Sequence, residues 1–202
     1  MKIKMIVTAL VITGSVVLSP VVMAQQQTVS MGYAYARLND IAGLNGINVQ
    51  YQGINLQYRY EWDSPLSIIG SFSYMKGDKS VAYHDAWGDA YKISADAKYY
   101  SLLAGPAYRL NDYLSLYGLL GVAYSKINGS YQWRNSVGAD EPDGHLNIHA
   151  SGHTASFAYA AGVAINPINN LSINLGYEGA SVDFYGSKKS LNGFNVGIGW
   201  RF

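Results

Sequence analysis

His145, His149 and His153 recur at every fourth position in the second half of the chain. On a helix that spacing would line up three imidazoles on one face, as a zinc site requires. The intervening Asn147, Ile148, Ala150, Ser151 and Gly152 instead read as an extended or loose segment. There, four residues span roughly 13 Å, too far for neighbouring histidines to share a metal. His149-Ala150-Ser151, with His153 close by, also pairs a base with a hydroxyl, which is the beginning of a nucleophilic hydrolase. His149 and Ser151 share a strand face, but no acid stands at a spacing that would orient the base, and no oxyanion site is evident. Gly186-Ser187-Lys188-Lys189-Ser190 is too short for a phosphate-binding loop. Lys188 and Lys189 are candidates for contact with a polysaccharide, either lipopolysaccharide phosphate or a sulfated chain. The chain has no cysteine, so thiolate chemistry and a disulfide framework are excluded. The expectation is a protein without catalytic residues, cofactor or metal.

Recognition is the chemistry the remaining residues favour. The stretch 76–96 places Tyr83, Trp87 and Tyr91 among lysines and aspartates. The stretch 127–153 places Tyr131, Trp133 and Arg134 before Asp140, Glu141 and Asp143. Exposed aromatics beside charges are the anchors of protein-binding surfaces. Stretches of this length between regular elements usually carry function. Alternatively, both continue neighbouring strands, with their aromatics packed on one another.

The elements that must hold these stretches are strands. In the last ten residues, Phe194, Val196, Ile198, Trp200 and Phe202 alternate with Asn195, Gly197, Gly199 and Arg201. One face is aromatic and apolar, the other small or polar. A transmembrane barrel has its apolar side toward lipid and its polar side toward the lumen. The same alternation recurs upstream from Val29, Ile54, Leu66, Tyr100, Leu116, Phe157 and Leu171, giving eight strands of an antiparallel up-and-down transmembrane β-barrel, an all-β fold. Asp63-Ser64-Pro65, Asn111-Asp112 and Pro167 to Asn170 make short turns. Longer connections lie near 39–48, 76–96, 127–153 and 182–190. Short and long alternate as in outer-membrane barrels, whose turns are periplasmic and whose long loops are extracellular. The inward set holds Arg59, Glu61, Arg109, Glu178 and Arg201. In so narrow a barrel these are expected to form one buried network bridging the lumen and opposing an open pore.

Composition agrees. Eighteen tyrosines accompany charged residues at 13% of the chain, about half the share in a soluble domain. Tyrosine suits the membrane interface, where its ring is apolar and its hydroxyl meets water. Residues 1–24 open with Lys2 and Lys4, run apolar and reach Ala24, which reads as a signal peptide cleaved before the barrel of residues 25–202. Without those two lysines the remaining basic and acidic residues nearly balance, so no basic field calls for nucleic acid.

Ser64 to Tyr74, Ala104 to Asp112 and Gly193 to Phe202 resemble the Ail/OmpX/PagC/Lom outer-membrane proteins, in strand order across nearly the whole mature chain. The resemblance implies an eight-stranded barrel whose strands project above the membrane. It also implies attachment to host cells or matrix, invasion, or resistance to complement through complement-regulatory proteins. Phe202 looks like the terminal signal read by the barrel-assembly machinery. Outer-membrane lipid and lipopolysaccharide are then obligatory surroundings. A non-adhesive structural barrel or minor small-solute pore is the rival expectation.

Overall fold

The computed structural model describes residues 26–38, 49–86, 88–135, 144–184 and 187–202, with the backbone alone at 145, 182–184 and 187–189. The expected signal peptide over 1–24 and the connection 39–48 lie outside the described residues. The eight strands are β1 (Gln26–Leu38), β2 (Val49–Glu61), β3 (Leu66–His84), β4 (Ala90–Arg109), β5 (Leu114–Arg134), β6 (His145–Ile168), β7 (Leu171–Phe184) and β8 (Ser187–Arg201). Each pairs antiparallel with its sequence neighbours, and β8 closes on β1 through Thr28↔Arg201 to Leu38↔Leu191. Closure matters because an open edge would leave a row of backbone amides and carbonyls without partners in hydrocarbon.

The faces follow the sequence alternation. Met31, Leu102, Leu120, Val122, Ile198 and Trp200 are exposed outward to 59–64%, an arrangement that water would penalise and a lipid bilayer would not. Inward residues are small, polar or tightly packed. Toward the end of the barrel that carries the short turns, the lumen holds Ser67, Ser115, Ser172, Asn174 and the charges Arg59, Glu61 and Arg201. Toward the other end it is closed by Leu38, Val49, Tyr51, Met75, Tyr99 and Leu191, all 2% exposed or less. Tyr117 lies along the inner wall over the paired Gly162 and Gly176 of the two neighbouring strands, where an added Cβ on either glycine would strike its hydroxyl. Those two positions therefore need glycine for packing space.

The strands are of two lengths. β1, β2, β7 and β8 have 13 to 15 residues, whereas β3 to β6 have 19 to 24. A membrane crossing takes roughly 9–11 residues, so the middle four strands overshoot and form a sheet that stands clear of the barrel. Over 76–96 and 127–153 this follows the alternative reading, in which those stretches continue the neighbouring strands. Among the described residues of 76–96 only 85, 86, 88 and 89 are not strand, and β5 and β6 take up most of 127–153. Over 182–190, β7 reaches Phe184 and β8 starts at Ser187. The reason is physical. Beyond the membrane both sheet faces meet water, so the backbone ladder continues without the apolar alternation that marks a strand in lipid.

Candidate recognition surface

The projecting sheet arranges its side chains by register. Tyr83 pairs with Tyr91, Tyr91 with Trp133 and Trp133 with Leu146. One level nearer the barrel, Val81, Ile93, Tyr131 and Ile148 form a second row on the same face. The Tyr83 and Tyr91 rings stack 4.8 Å apart with an interplanar angle of 8°. Eight apolar and aromatic residues thus make one continuous face, with Tyr83, Leu146, Ile148 and Val81 each over 40% exposed. An exposed apolar face on a water-washed sheet is the kind of surface that interaction sites use.

Its tip is fixed by hydrogen bonds. The Asp85 carboxylate accepts from the Asp89 amide at 3.0 Å and from the Tyr91 hydroxyl at 3.1 Å, while the Trp133 indole donates to Asp89 Oδ2 at 3.0 Å. Gly88 adopts φ 88°, the left-handed conformation that lets this short turn close. Burial, reinforced by the Asp85 and Asp89 carboxylates, pushes the Tyr91 phenol above its ordinary pKa.

Of the candidate binding residues, Tyr83, Tyr91 and Trp133 come together, and Tyr131 lies beside them in the second row. Arg134 is exposed next to Trp133 but belongs to the opposite face. Trp87 lies outside the described residues. Lys188 and Lys189 fall in β8 opposite Asp183 and Val182, with their side chains outside the description. His149 and His153 lie on one outward face of extended β6, paired with Ser130 and Lys126, and Ser151 pairs with Asn128. The His145 side chain lies outside the described residues. Among the described residues no group of His, Asp or Glu is arranged to hold a metal.

The opposite, outward face carries a feature that no single stretch of sequence displays. Lys76 pairs with Lys98, Lys98 with Lys126 and Lys126 with His153, all exposed. This basic row sits directly above the row Tyr74, Tyr100 and Tyr124, whose rings follow one another at 5.0 and 6.4 Å. Like charges placed opposite one another repel, so the row is a candidate for anionic contact, although the next pair outward on this face is acidic, Asp78 with Asp96.

Below, the lumen brings four of the five expected charges together. Glu61, 1% exposed, meets Arg59 and Arg201 at 2.6 Å each and Arg109 at 3.4 Å. Arg59 also donates to Ser67 and Ser115, both at 3.0 Å. Glu178 does not join them. It accepts from the Tyr99 hydroxyl at 2.6 Å and the Ser73 hydroxyl at 3.0 Å, tying β7 to the opposite wall, where Asn55 donates to Ser71 and Ser73. The expected single network is therefore two. Shared parity places both sets inside the barrel, but their heights along its axis differ.

Comparison with known proteins agrees with this architecture. The model of the enterobacterial Ail/Lom protein family matches residues 1–202. The virulence membrane protein PagC of Salmonella typhimurium is 37% identical, over 98% of this chain and 99% of its own length. The attachment invasion locus protein of Yersinia enterocolitica is 32% identical over the full length of both. The crystal structure of Ail, the attachment invasion locus protein of Yersinia pestis, superposes with a TM-score of 0.63 at 29% identity, covering 89% of this chain and all of that one. The same protein in complex with the heparin analogue sucrose octasulfate gives a TM-score of 0.60 at 30% identity, with 89% and 100% coverage.

Proposed function

The chain belongs to the enterobacterial Ail/Lom family and is an outer-membrane β-barrel, and from that premise we propose that it attaches the bacterium to host surfaces by recognition, without catalysis. The observation that carries this reading is the aromatic face of the projecting sheet. Tyr83, Tyr91, Tyr131 and Trp133 are presented on paired strands, and the tip bonds of Asp85 and Asp89 hold Tyr91 and Trp133. Anchors held rigid before contact lose little side-chain freedom on binding. The long-hairpin end faces the outside and the short turns face the periplasm. The relatives named for attachment, invasion and virulence support an adhesive role, to which resistance to complement belongs as a second consequence of binding host proteins.

The row Lys76, Lys98 and Lys126 meets lipopolysaccharide phosphates or a sulfated matrix polysaccharide, a reading supported by the relative solved with a heparin analogue. Lys188 and Lys189 add to that contact at the same end. Residues 1–24 direct export and are removed after Ala24, and the barrel-assembly machinery reads Phe202. The rival pore is disfavoured by the lumen, where Tyr51, Tyr99, Leu38 and Leu191 close one half.

The test is adherence of a capsule-free, non-adherent bacterium expressing the protein to laminin-, fibronectin- and heparin-coated surfaces. Variants with hairpins shortened across 76–96 and 127–153, matched for barrel assembly, run alongside. Adherence that disappears with the hairpins is the expected result. Adherence equal to the empty vector would remove the adhesin reading, and steady conductance in planar bilayers would put the pore in its place.

A further inference from the structure

The short-turn end of the barrel opens into a cavity of about 540 Å³, lined among others by Arg109, Arg201, Asn166, Gln26 and Asp112. That size suits a small ligand, since such sites typically occupy 300–1,000 Å³. The cavity does not continue through the barrel, because the far half of the lumen is filled by side chains.

Its lining is donor-rich. Arg109 Nε, Arg201 Nε and Asn166 Nδ2 are buried N–H groups with no acceptor among the described residues. Asn166 is 4% and Arg201 8% exposed, so both are built into the wall of the cavity and do not stand out on the surface. A guanidinium has only donors and a positive charge, which the oxygens of an anion complement. Charge points the same way. Arg59, Arg109 and Arg201 surround one buried carboxylate, Glu61, and adding Asp112 at the exposed rim still leaves one positive charge over. Arg109 is the most available of the three, with its side chain 28% exposed and its contact to Glu61 at 3.4 Å rather than 2.6 Å.

We infer that this mouth of the barrel is an oxyanion-binding site, taking a single carboxylate or phosphate group through Arg109, Arg201 and Asn166. Under the orientation proposed above it opens to the periplasm. The group then belongs either to free phosphate or to the carboxyl end of a small periplasmic peptide. Binding here would lock the β4–β5 and β6–β7 turns, which carry Asp112, Tyr113 and Asn169 into the same lining, against the closing strand β8.

The experiment uses the full barrel refolded in phospholipid nanodiscs at low chloride, ¹⁵N-labelled in arginine and asparagine side chains. It is titrated separately with inorganic phosphate, with acetyl-dialanine and with acetyl-dialanine amide, which lacks the carboxylate. Saturable shifts of the Arg109 and Arg201 Nε and Asn166 Nδ2 resonances are expected with phosphate, with the free dipeptide or with both. The ligand that binds identifies the source, and the amide should leave the spectrum unchanged. Arg109→Gln should weaken binding about tenfold, the usual worth of one charge-assisted hydrogen bond, while leaving heat-modifiable gel mobility intact. Asn166→Ala, a second variant that leaves the Glu61 ion pairs in place, should weaken it less. No saturable shift with either anion, equal binding of the amide, or unaltered affinity in Arg109→Gln would overturn the inference. Host-surface adherence is read at the opposite end of the molecule, so failure here leaves that proposal standing, and the reverse also holds.

Discussion

Below the row Tyr74, Tyr100 and Tyr124, strands β3 to β6 divide a lipid face from a closed interior, where Ser73, Ser101 and Ala123 are at most 2% exposed. Above it, the same four strands have two accessible faces, and Val81 and Tyr83 are 42% and 48% exposed. The backbone ladder is continuous across the boundary. Only the surroundings of the side chains change. In the barrel, a buried charge without a partner is costly, and Arg59, Arg109 and Arg201 gather on Glu61. In the sheet, exposed side chains such as Tyr83 and Val81 face outward contact on a water-washed surface. Stability is therefore expected to reside below the tyrosine row and recognition above it.

The largest effect that tests this division lies at Glu61. Glu61→Gln keeps the shape but leaves Arg59, Arg109 and Arg201 without their shared anion. Loss of about 3–5 kcal/mol is expected, read as the shift in urea unfolding of the barrel in lipid vesicles. Binding by the folded fraction should stay the same. A variant as stable as the parent would mean that the arginines are satisfied by solvent and that the lumen is not a sealed interior.

Glu178 gives the next effect. Glu178→Ala removes the acceptor of both Tyr99 and Ser73 and so cuts the tie across the lumen. The expected cost is roughly 2–3 kcal/mol, since buried donors are left unanswered. Trimming an exposed sheet charge such as Lys92 should cost under about 0.5 kcal/mol. Equal unfolding midpoints for the two variants would erase the difference between barrel and sheet.

Above the row, the expectation reverses. Trp133→Ala removes the indole that donates to Asp89 and lies beside Tyr91. It should reduce affinity for the host surface by about 2 kcal/mol, the scale of an anchor residue, with the unfolding midpoint of the barrel unchanged. Retained adherence would move recognition to the basic outward face, and Lys98→Gln combined with Lys126→Gln would then be the informative variant.

How far each region could be read from sequence follows from the same contrast. The barrel strands were legible because lipid imposes an apolar face, so Leu116, Leu120 and Val122 declare themselves at every second position. Parity also placed Arg59, Glu61, Arg109, Glu178 and Arg201 inside. It could not separate Glu178 from the others, because height along the axis depends on strand stagger, which no local pattern encodes. The sheet was legible only as two polar stretches containing aromatics. That Tyr83, Tyr91 and Trp133 share a row depends on where the hairpin turns. The row Lys76, Lys98 and Lys126 is assembled from three strands, and Lys98 and Lys126 attract no notice within their own segments. A clue was available in Asp85-Ala86-Trp87-Gly88-Asp89, whose glycine between acidic and aromatic residues marks a hairpin turn.

That turn supplies the smallest effect and the finest test. At φ 88°, Gly88 occupies a conformation that costs alanine about 1 kcal/mol. The strain would fall on the backbone between Asp85 and Asp89, whose carboxylates hold the Tyr91 hydroxyl and the Trp133 indole. Gly88→Ala deletes no contact atom from the aromatic face. If that face binds because it is rigid beforehand, loosening its tip should lower affinity up to about fivefold through added disorder in the free state. Amide exchange at Asp89 should accelerate while the barrel core stays protected. Unchanged affinity alongside faster exchange would mean that the aromatics find their places only on contact. The projecting sheet would then act as a scaffold for a flexible tip, and the rigidity of the barrel would end at the tyrosine row.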